Sequence, residues 1–378
     1  MEIPFATSER STIGVEWELA LVDADSGDLR QVARTVLDAV APPGGGEHPT
    51  IKQELLLNTV EIITGVCHTV AEAGADLQRS VDELRAITDP LRVELMCAGT
   101  HPFAQWSHQK VTDRQRYNTL IERTQWWGRQ MLIYGVHVHV GIEDKAKVLP
   151  ILRAMLTYVP HIQALSASSP FWGGKDTGYA SNRALMFQQL PTAGLPFQFE
   201  TWAQFESYVA DMLHVGVIDQ VDEIRWDIRP SPRFGTLEMR IADGSPNLTE
   251  VLAFAALIHC LVEHFSTLLD QGRELPSLPP WFVQENKWRS ARYGMDAIII
   301  LDRAGDEELV TDNVERLLVE LEPVAERLRC SAELAHVRTI LRKGASYQRQ
   351  RAVARRNDGD LGAVVAALVA EMRAGRPL

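Results

Sequence analysis

Charged residues occupy alternate positions in several strand-like segments of this 378-residue chain. Neighbouring residues of a β-strand point to opposite faces of its sheet, so residues two apart share a face. The segments are GVEWEL with Glu16 and Glu18, GVHVHVG with His137 and His139, IRWDIRP with Arg225, Asp227 and Arg229, and TLEMRIAD with Glu238 and Arg240, followed by Asp243. Like charges on adjacent strands destabilise a sheet unless opposite charges neutralise them. These segments therefore predict a sheet with one strongly polar face, and carboxylates that meet there require cations.

A simpler interpretation is that these residues form the solvated faces of antiparallel strands, which alternate apolar and polar side chains. Carboxylates, imidazoles and guanidiniums nevertheless differ from the Thr, Ser and Lys mixture expected on a wet sheet face. Hard cations such as Mg²⁺ or Mn²⁺ take oxygen ligands, so clustered glutamates with one histidine favour them over zinc. The candidate ligands are Glu16, Glu18, Glu61 and Glu238. Glu54 precedes Glu61 by seven residues, which fits one helix face or a bent strand, so the spacing leaves this segment open.

Periodicity predicts an α+β fold: one antiparallel-leaning sheet, helices packed on its outer face, and a helical C-terminal region at about residues 281–378. The predicted strands are residues 12–22, 52–64, 95–99, 135–141, 222–229 and 237–242. The predicted helices are residues 70–91, 113–134 with Thr112 as cap, 145–166, 202–213, 249–271, 310–329, 332–343 and 361–374. The charged strand residues come from both sides of every candidate linker. We therefore expect a single domain over residues 1–378, with a core at about 10–300.

The composition and the missing motifs exclude several classes of protein. A formal net charge of −12 argues against a nucleic-acid-binding face. The four cysteines have no zinc-like or disulfide-like spacing, so we expect a reducing cytoplasm. We expect no membrane partner, because we find neither a signal peptide nor an apolar run long enough to cross a bilayer. The P-loop, GxGxxG, HExxH and GxSxG motifs are absent, which argues against the corresponding nucleotide, zinc and hydrolase sites.

Seven segments form an ordered set between about residues 10 and 300. They are GVEWEL, QELLLNTVEIIT, THPF, GVHVHVGI, SPFWGGKDTGYASNR, RPSPRFGTLEMRIAD and RYGMDA. This set resembles the type 2 glutamate–cysteine ligase family, the bacterial carboxylate–amine ligases of the glutamine-synthetase-like superfamily. The resemblance implies a catalytic sheet shaped as a funnel, with ATP entering at one end and amino-acid substrates at the other. It also implies that the γ-phosphate of ATP passes to a substrate carboxylate, and that an amine then attacks the acyl phosphate.

The resemblance assigns roles to particular residues. The implied ligands of two to three Mg²⁺ or Mn²⁺ ions are Glu16, Glu18, Glu54, Glu61, His139 and Glu238. A phosphoryl group in transfer carries charge that guanidiniums stabilise, so we expect Arg240 and Arg229 beside Glu238 at the catalytic centre. The candidate substrate-binding residues are Arg225, Arg183, Arg292 and Tyr179, with surface ion pairs or loop anchoring as the alternative. His137 is expected to support a metal ligand or to be a core histidine.

We therefore expect a cytoplasmic, ATP- and magnesium-dependent ligase that joins glutamate to cysteine through a γ-glutamyl phosphate, the chemistry that begins glutathione biosynthesis. Three alternatives stay open: a ligase for another amino acid or amine, a phosphotransferase related to guanidino kinases, and a nucleotide-binding regulatory protein without turnover. The expected partners are small molecules, and a homodimer is expected from the relatives.

Overall fold

An antiparallel sheet of seven strands forms the centre of the protein, whose computed structural model describes residues 1–378. The eleven strands are β1 (Ile13–Asp23), β2 (Ile51–Gln53), β3 (Thr59–Ile63), β4 (Val93–Met96), β5 (Val136–Gly141), β6 (Phe171–Trp172), β7 (Lys175–Asp176), β8 (Ile228–Ser231), β9 (Thr236–Met239), β10 (Ile298–Ile300) and β11 (Glu307–Leu309). The main sheet has the order β2-β3-β1-β5-β9-β8, and β4 pairs with the second half of β1. Strands β6–β7 and β10–β11 form two separate hairpins. The predicted antiparallel sheet is thus confirmed.

Thirteen α-helices surround this sheet. They are α1 (Ala33–Val40), α2 (Val70–Thr88), α3 (Gln115–Arg129), α4 (Lys145–Met155), α5 (Val159–Ser166), α6 (Asn182–Phe187), α7 (Trp202–His214), α8 (Leu248–Asp270), α9 (Pro280–Tyr293), α10 (Val310–Leu328), α11 (Ser331–Lys343), α12 (Ser346–Arg356) and α13 (Leu361–Ala374). Helix α8 is central, because it packs against α2, α4, α10 and α11. The predicted helical C-terminal region is confirmed from α9 onward.

The register of the antiparallel strands brings the charged residues side by side. The directly opposed pairs are Glu18 with Glu61, Glu16 with His137, His139 with Glu238, and Glu238 with Arg229. Trp17 lies between the two glutamates of β1 and points to the other face, where it is 1% exposed and its Nε1 donates to the Ser245 carbonyl at 3.1 Å. One face of the sheet is therefore polar and the other is apolar.

The apolar face belongs to a core of 86 buried residues. Two stretches, Lys145–Ser166 and Leu248–Asp270, are long and apolar enough to span a membrane, so the expectation that no such stretch exists is wrong. Their most apolar windows are 78% and 83% buried inside the protein, however. Helices buried on most sides are apolar nearly all round, which explains their composition without a bilayer.

Three predicted elements differ from the structure. Residues 222–229 are not a continuous strand: Val221–Glu223 form a 3₁₀ turn and β8 begins only at Ile228. Helix α3 begins after Arg114 rather than Thr112, and Gln125 interrupts it with a φ of 44°. The predicted helix 145–166 is broken by a 3₁₀ turn at Leu156–Tyr158. Pro160 has no N–H to donate to the carbonyl four residues earlier, at Leu156, and its ring crowds that carbonyl.

The segment between Glu54 and Glu61, which the spacing left open, is a hairpin. Strands β2 and β3 pair antiparallel, with Lys52 opposite Glu61, and Glu54 lies in the connection between them. The predicted helical C-terminal region covers α9 without giving its bounds. The elements that the periodicity missed are α1, α6, α12 and the β6–β7 and β10–β11 hairpins. They are short, and α12, SYQRQRAVARR, is too polar to show an apolar stripe.

Replacing Trp17 with phenylalanine is expected to lower the free energy of unfolding by about 1–3 kcal/mol, because the Ser245 carbonyl loses a buried donor and a void opens behind β1. Urea denaturation followed by circular dichroism measures this change. The Mg²⁺ affinity of the folded variant should stay within about twofold of the parent, because the indole lies on the face away from the carboxylates. A large loss of Mg²⁺ affinity would contradict this assignment of faces.

Candidate active site

The polar face of the sheet contains a first cluster in which carboxylates meet cationic partners. Glu16, His137 and Glu238 bring ligand atoms within 4.8 Å of one another. His137 Nδ1 donates to Glu16 Oε2 at 2.9 Å, and His139 Nε2 lies 3.3 Å from Glu16 Oε1 and 3.8 Å from Glu238 Oε1. The close group thus contains His137, while the predicted ligand His139 lies beside it with its Nδ1 hydrogen-bonded to Thr236.

Charge compensation keeps this first cluster ionised. Burial alone would raise the pKa of Glu16, but the hydrogen bonds with His137 and His139 outweigh it and lower the pKa. Burial of Glu238 is likewise outweighed by the charges of Arg229 and Arg240, which hold its pKa well below the usual range. Burial and the charge of Arg240 lower the pKa of His137 to about 4, so this imidazole is neutral at pH 7.

A second cluster contains carboxylates alone. Glu18, Glu54 and Glu61 also bring one oxygen each within 4.8 Å of one another. Burial and the neighbouring charge of Glu54 raise the pKa of Glu18 to about 8. Burial also raises the pKa of Glu54, and burial with the charges of Glu16, Glu54 and Glu18 raises that of Glu61 well above its ordinary value. Like charges in a buried site cannot all ionise without a cation, and the attraction of Arg183, Arg240 and Arg116 does not offset the burial of these carboxylates.

The donor chemistry of both clusters fits hard divalent cations. The second cluster offers only carboxylate oxygens, which Mg²⁺ and Mn²⁺ prefer, and the first adds one imidazole. The predicted ligands Glu16, Glu18, Glu54, Glu61 and Glu238 therefore all lie in groups that could hold a metal. Such an ion would neutralise phosphate and carboxylate oxygens.

A cavity of about 650 Å³ opens beside these clusters. The site residues lining it include Glu18, Glu54, His137, Arg183, Arg225, Arg229 and Arg240. Arg229 Nε donates to Glu238 Oε2 at 2.6 Å, and Arg240 donates to the other oxygen of the same carboxylate. Glu238 thus orients two guanidiniums toward the cavity, where they can bind an anionic ligand.

Arg183 reaches the cavity from α6. Its side chain is almost fully buried and extends along the carbonyls of Arg240 and Ile241 at 3.4 Å. The guanidinium lies so close to Gly135 that a Cβ there would be 2.2 Å from Nη2. Phe187, one helical turn later on α6, has its ring centroid 5.9 Å from the guanidinium carbon of both Arg183 and Arg240. A glycine directly before β5 and an aromatic ring therefore confine these cations.

The other predicted site residues lie elsewhere. Arg292 and Tyr179 are not among the cavity-lining residues; the Arg292 guanidinium lies over the Tyr179 ring at 5.6 Å and donates to the Gly178 carbonyl. The expectation that Asp227 shares a polar strand face with Arg225 and Arg229 is wrong, because Asp227 is 2% exposed and pairs with a lysine of α9. It precedes β8, so the alternation of a strand does not apply to it.

Sequence reasoning missed the contribution of α3. Gln115, Arg116, Tyr117 and Arg123 line the cavity. Arg116 is exposed and donates to the Tyr117 hydroxyl. Burial lowers its pKa, but Tyr117 and, to a smaller extent, the charges of Glu54 and Glu61 raise it above its ordinary value. The helix itself was predicted, but its sequence, QRYNTLIERTQWWGR, has polar residues on every side and gives no signal of which face meets the sheet.

This combination of fold and site defines a class. An antiparallel sheet with clustered carboxylates beside an arginine-lined cavity is typical of enzymes that transfer phosphoryl groups between anionic substrates. Two solved structures share the fold. A bifunctional glutathione synthetase from Pasteurella multocida matches with a TM-score of 0.66 and 15% identity over 95% of this chain and 52% of that one. A glutamate–cysteine ligase from Francisella tularensis, in complex with AMP, matches with a TM-score of 0.62 and 14% identity over 98% and 94%.

Sequence relatives identify the family. The model of glutamate-cysteine ligase family 2 matches residues 12–367. A protein of Arthrobacter sp. strain FB24, provisionally named glutamate–cysteine ligase 2-1, is 62% identical over 380 residues and 99% of both chains. A relative of Mycobacterium ulcerans, provisionally named glutamate–cysteine ligase 2, is 60% identical over 98% of this chain and 93% of its own. The chain belongs to glutamate-cysteine ligase family 2, and it is an ATP-dependent carboxylate–amine ligase of that type.

Mg²⁺ binding is expected to release protons at pH 7. A carboxylate must be ionised to ligate a metal, whereas the pKa of Glu18 is raised to about 8 and those of Glu54 and Glu61 are also raised. Calorimetric titration in two buffers of different ionisation enthalpy should give about one released proton or more per chain, and fewer in Glu18→Gln. Mg²⁺ binding without proton release would contradict the pKa assignment.

The same shift predicts how stability depends on pH. A carboxyl with a raised pKa in the folded chain stabilises the fold fully below its ordinary value of 4.5, and this contribution is lost as the pH rises to about 8. From about pH 6 to about pH 8.5, the melting temperature of the metal-free protein should therefore fall by about 2 °C or more, and by less in Glu18→Gln. Mg²⁺ should reverse the fall. A melting temperature that does not change with pH in the metal-free parent would contradict a buried site shared by the three carboxyl groups.

Replacing Gly135 with alanine should displace the Arg183 guanidinium and lower kcat/KM by about tenfold or more. Steady-state kinetics measures this, and thermal melting shows whether the variant is folded. Gly65→Ala is the matched control, since its Cβ would meet only Asp76 Oδ2 at an ordinary 3.7 Å. Equal kinetics in the two variants would show that the cavity does not depend on the position of Arg183.

Proposed function

We propose that the protein joins the γ-carboxylate of glutamate to the amino group of cysteine, using ATP and forming γ-glutamylcysteine through a γ-glutamyl phosphate. The observation that carries this proposal is a cavity that both clusters reach, through Glu18 and Glu54 of one and His137 of the other. Carboxylates that would hold divalent cations thus lie beside guanidiniums that can receive a phosphate and a substrate carboxylate. The family supplies the reaction class.

Each group of residues has a role in this proposal. Arg240 and Arg229, held by Glu238, stabilise the charge on the phosphoryl group as it passes to the carboxylate. Arg225 and Arg183 bind the substrate by bidentate contacts with its α-carboxylate. Glu16, Glu18, Glu54, Glu61 and Glu238, with His137 or His139, would hold two to three Mg²⁺ or Mn²⁺ ions, which would neutralise the phosphate oxygens. Arg292 and Tyr179 pair with each other outside the cavity lining, and we assign them no contact with substrate.

We further propose that all 378 residues form one catalytic domain that works in the cytoplasm on small molecules and forms a homodimer. The single large core, which includes residues of the sheet and of the C-terminal helices, supports one domain. The four cysteines are buried and free, which agrees with a reducing compartment.

Purified protein should release ADP from ATP and Mg²⁺ only when glutamate is present, and should form an amide when cysteine is added. Hydroxylamine in place of cysteine should trap γ-glutamyl phosphate as a hydroxamate, because an acyl phosphate reacts with that nucleophile. A panel of other amines tests the substrate. A strong preference for another amine would keep the ligase and replace cysteine, whereas ATP-dependent phosphorylation of a guanidinium compound without hydroxamate would indicate the kinase alternative.

Glu238→Gln should reduce both ADP release and amide formation by about 10²-fold or more, because two guanidiniums lose the carboxylate that orients them. Glu250→Gln is the matched control: Glu250 is also a buried glutamate paired with an arginine, Arg349, but it belongs to neither carboxylate cluster, and Arg349 does not line the cavity as Arg229 and Arg240 do. Unchanged turnover in Glu238→Gln would remove Glu238 from the catalytic centre, and an equal loss in both variants would attribute the effect to stability.

A further inference from the structure

Helix α9 presents a polar face to the interior, which is unusual for a buried helix face. Asn286, Lys287 and Ser290 are at most 3% exposed, and each has a specific partner. Asn286 exchanges two hydrogen bonds of 2.8 Å with the backbone of Ile300, and Ser290 donates to Gln163 at 2.7 Å. Lys287 is the charged member of the set, and its partner lies beside the cavity.

Lys287 Nζ is 2.6 Å from Asp227 Oδ2, and the two side chains are 4% and 3% exposed. Lysine is rarely buried to this extent without a counter-charge. Desolvating an ion pair offsets much of its attraction, so a buried pair of this kind adds little to stability compared with apolar packing. Separating the two side chains, in contrast, would leave a buried charge without a partner, which is strongly destabilising. The two groups must therefore stay in contact. The pair is therefore suited to fixing the position of Asp227.

The position of Asp227 determines that of the arginines around it. Its carbonyl accepts from the Arg240 backbone N–H at 2.7 Å, and its own N–H donates to the Gly194 carbonyl at 2.8 Å. Arg225 and Arg229 are two residues to either side, and both line the cavity. One aspartate thus connects three arginines of the cavity to α9, although it does not itself line the cavity.

A second connection runs from α9 to Arg183. The Ala291 carbonyl accepts from the backbone N–H groups of Ala180 and Ser181 at 2.8 and 2.9 Å. Ser181 is the N-cap of α6, the helix that carries Arg183 to the cavity. Helix α9 therefore supports the arginines from both sides.

We propose that Lys287 is a positioning residue, which through Asp227 holds Arg225, Arg229 and Arg240 in the geometry that binds the anionic substrates. This inference rests on the cavity assigned in the proposed function, and it adds a dependence of that cavity on the C-terminal helices.

The test compares single and double variants. Asp227→Asn and Lys287→Gln each leave one buried charge uncompensated and should lower the melting temperature more than the double variant Asp227→Asn/Lys287→Gln, which contains neither charge. In the folded double variant, KM for glutamate should rise and kcat/KM should fall by about tenfold or more, because the arginines are no longer held. Lys287→Arg keeps the charge and should retain more activity than Lys287→Met. If the double variant does not fold, this pair of variants tests the positioning role instead.

Hydrogen exchange provides a readout that does not need turnover. In the double variant the Arg240 backbone N–H should exchange about tenfold faster or more than in the parent, because its acceptor on Asp227 is released. If the parent forms no γ-glutamylcysteine, the proposed function fails, while the exchange rate still decides the positioning role. Exchange and kinetics equal to the parent would overturn the inference.

The control is a second buried ion cluster, Arg349 with Glu250 and Glu371, whose side chains are 3–11% exposed and lie outside the cavity lining. The triple variant Glu250→Gln/Arg349→Gln/Glu371→Gln should leave KM and Arg240 exchange near the parent values. An equal rise of KM in this control would mean that loss of any buried ion pair disturbs the site, which would overturn a specific role for Lys287.

Discussion

The crowding of carboxylates on one sheet face is the constraint on which the rest of this structure depends. Antiparallel register forces Glu18 against Glu61 and brings Glu238 against His139 and Arg229. The two halves of the face resolve this crowding differently. The Glu238 half is neutralised by guanidiniums and imidazoles, which lower the carboxyl pKa values, whereas burial raises them in the Glu18 half. A divalent cation is therefore needed most in the Glu18 half, where Arg183, Arg240 and Arg116 are near but do not offset the burial of the carboxylates.

This difference also divides the site into one half whose carboxylate is paired with arginines and one half that consists of carboxylates alone. Both oxygens of Glu238 form ion pairs, one with Arg229 and one with Arg240, so this carboxylate mainly orients two guanidiniums. Glu18 and Glu54 each accept one backbone N–H, from Gly135 and Leu55, and together with Glu61 they bring one oxygen each within 4.8 Å of one another. A phosphate placed between the two halves would meet metal on one side and guanidinium on the other, which is the arrangement that phosphoryl transfer requires.

Local patterns predicted most of the sheet and its polar face, because alternation in β1 and β5 is visible in the sequence itself. They also predicted one cluster containing Glu16, Glu18 and Glu238, whereas the structure places Glu16 and Glu238 in one cluster and Glu18 in the other. Two kinds of feature were not accessible. The hairpin around Glu54 depends on a turn that its seven-residue spacing does not distinguish from a helix. The faces of α3 and α9 depend on packing. Helix α3 turns polar residues toward the cavity and α9 buries Asn286, Lys287 and Ser290, and in a sequence both faces resemble a polar face toward water.

The C-terminal helices are for this reason more than a cover for the core. A charged site built from arginines needs supports that keep each guanidinium from relaxing onto the nearest carboxylate, and apolar packing lacks the directionality to do so. Directional contacts from α9, namely the Lys287 ammonium and the Ala291 carbonyl, meet this need at two separate segments. Helix α9 also packs against α5 and β10, which ties these two contacts to the remaining C-terminal elements. The arginine geometry is thus a property of the whole chain, and transplanting the sheet alone would not preserve it.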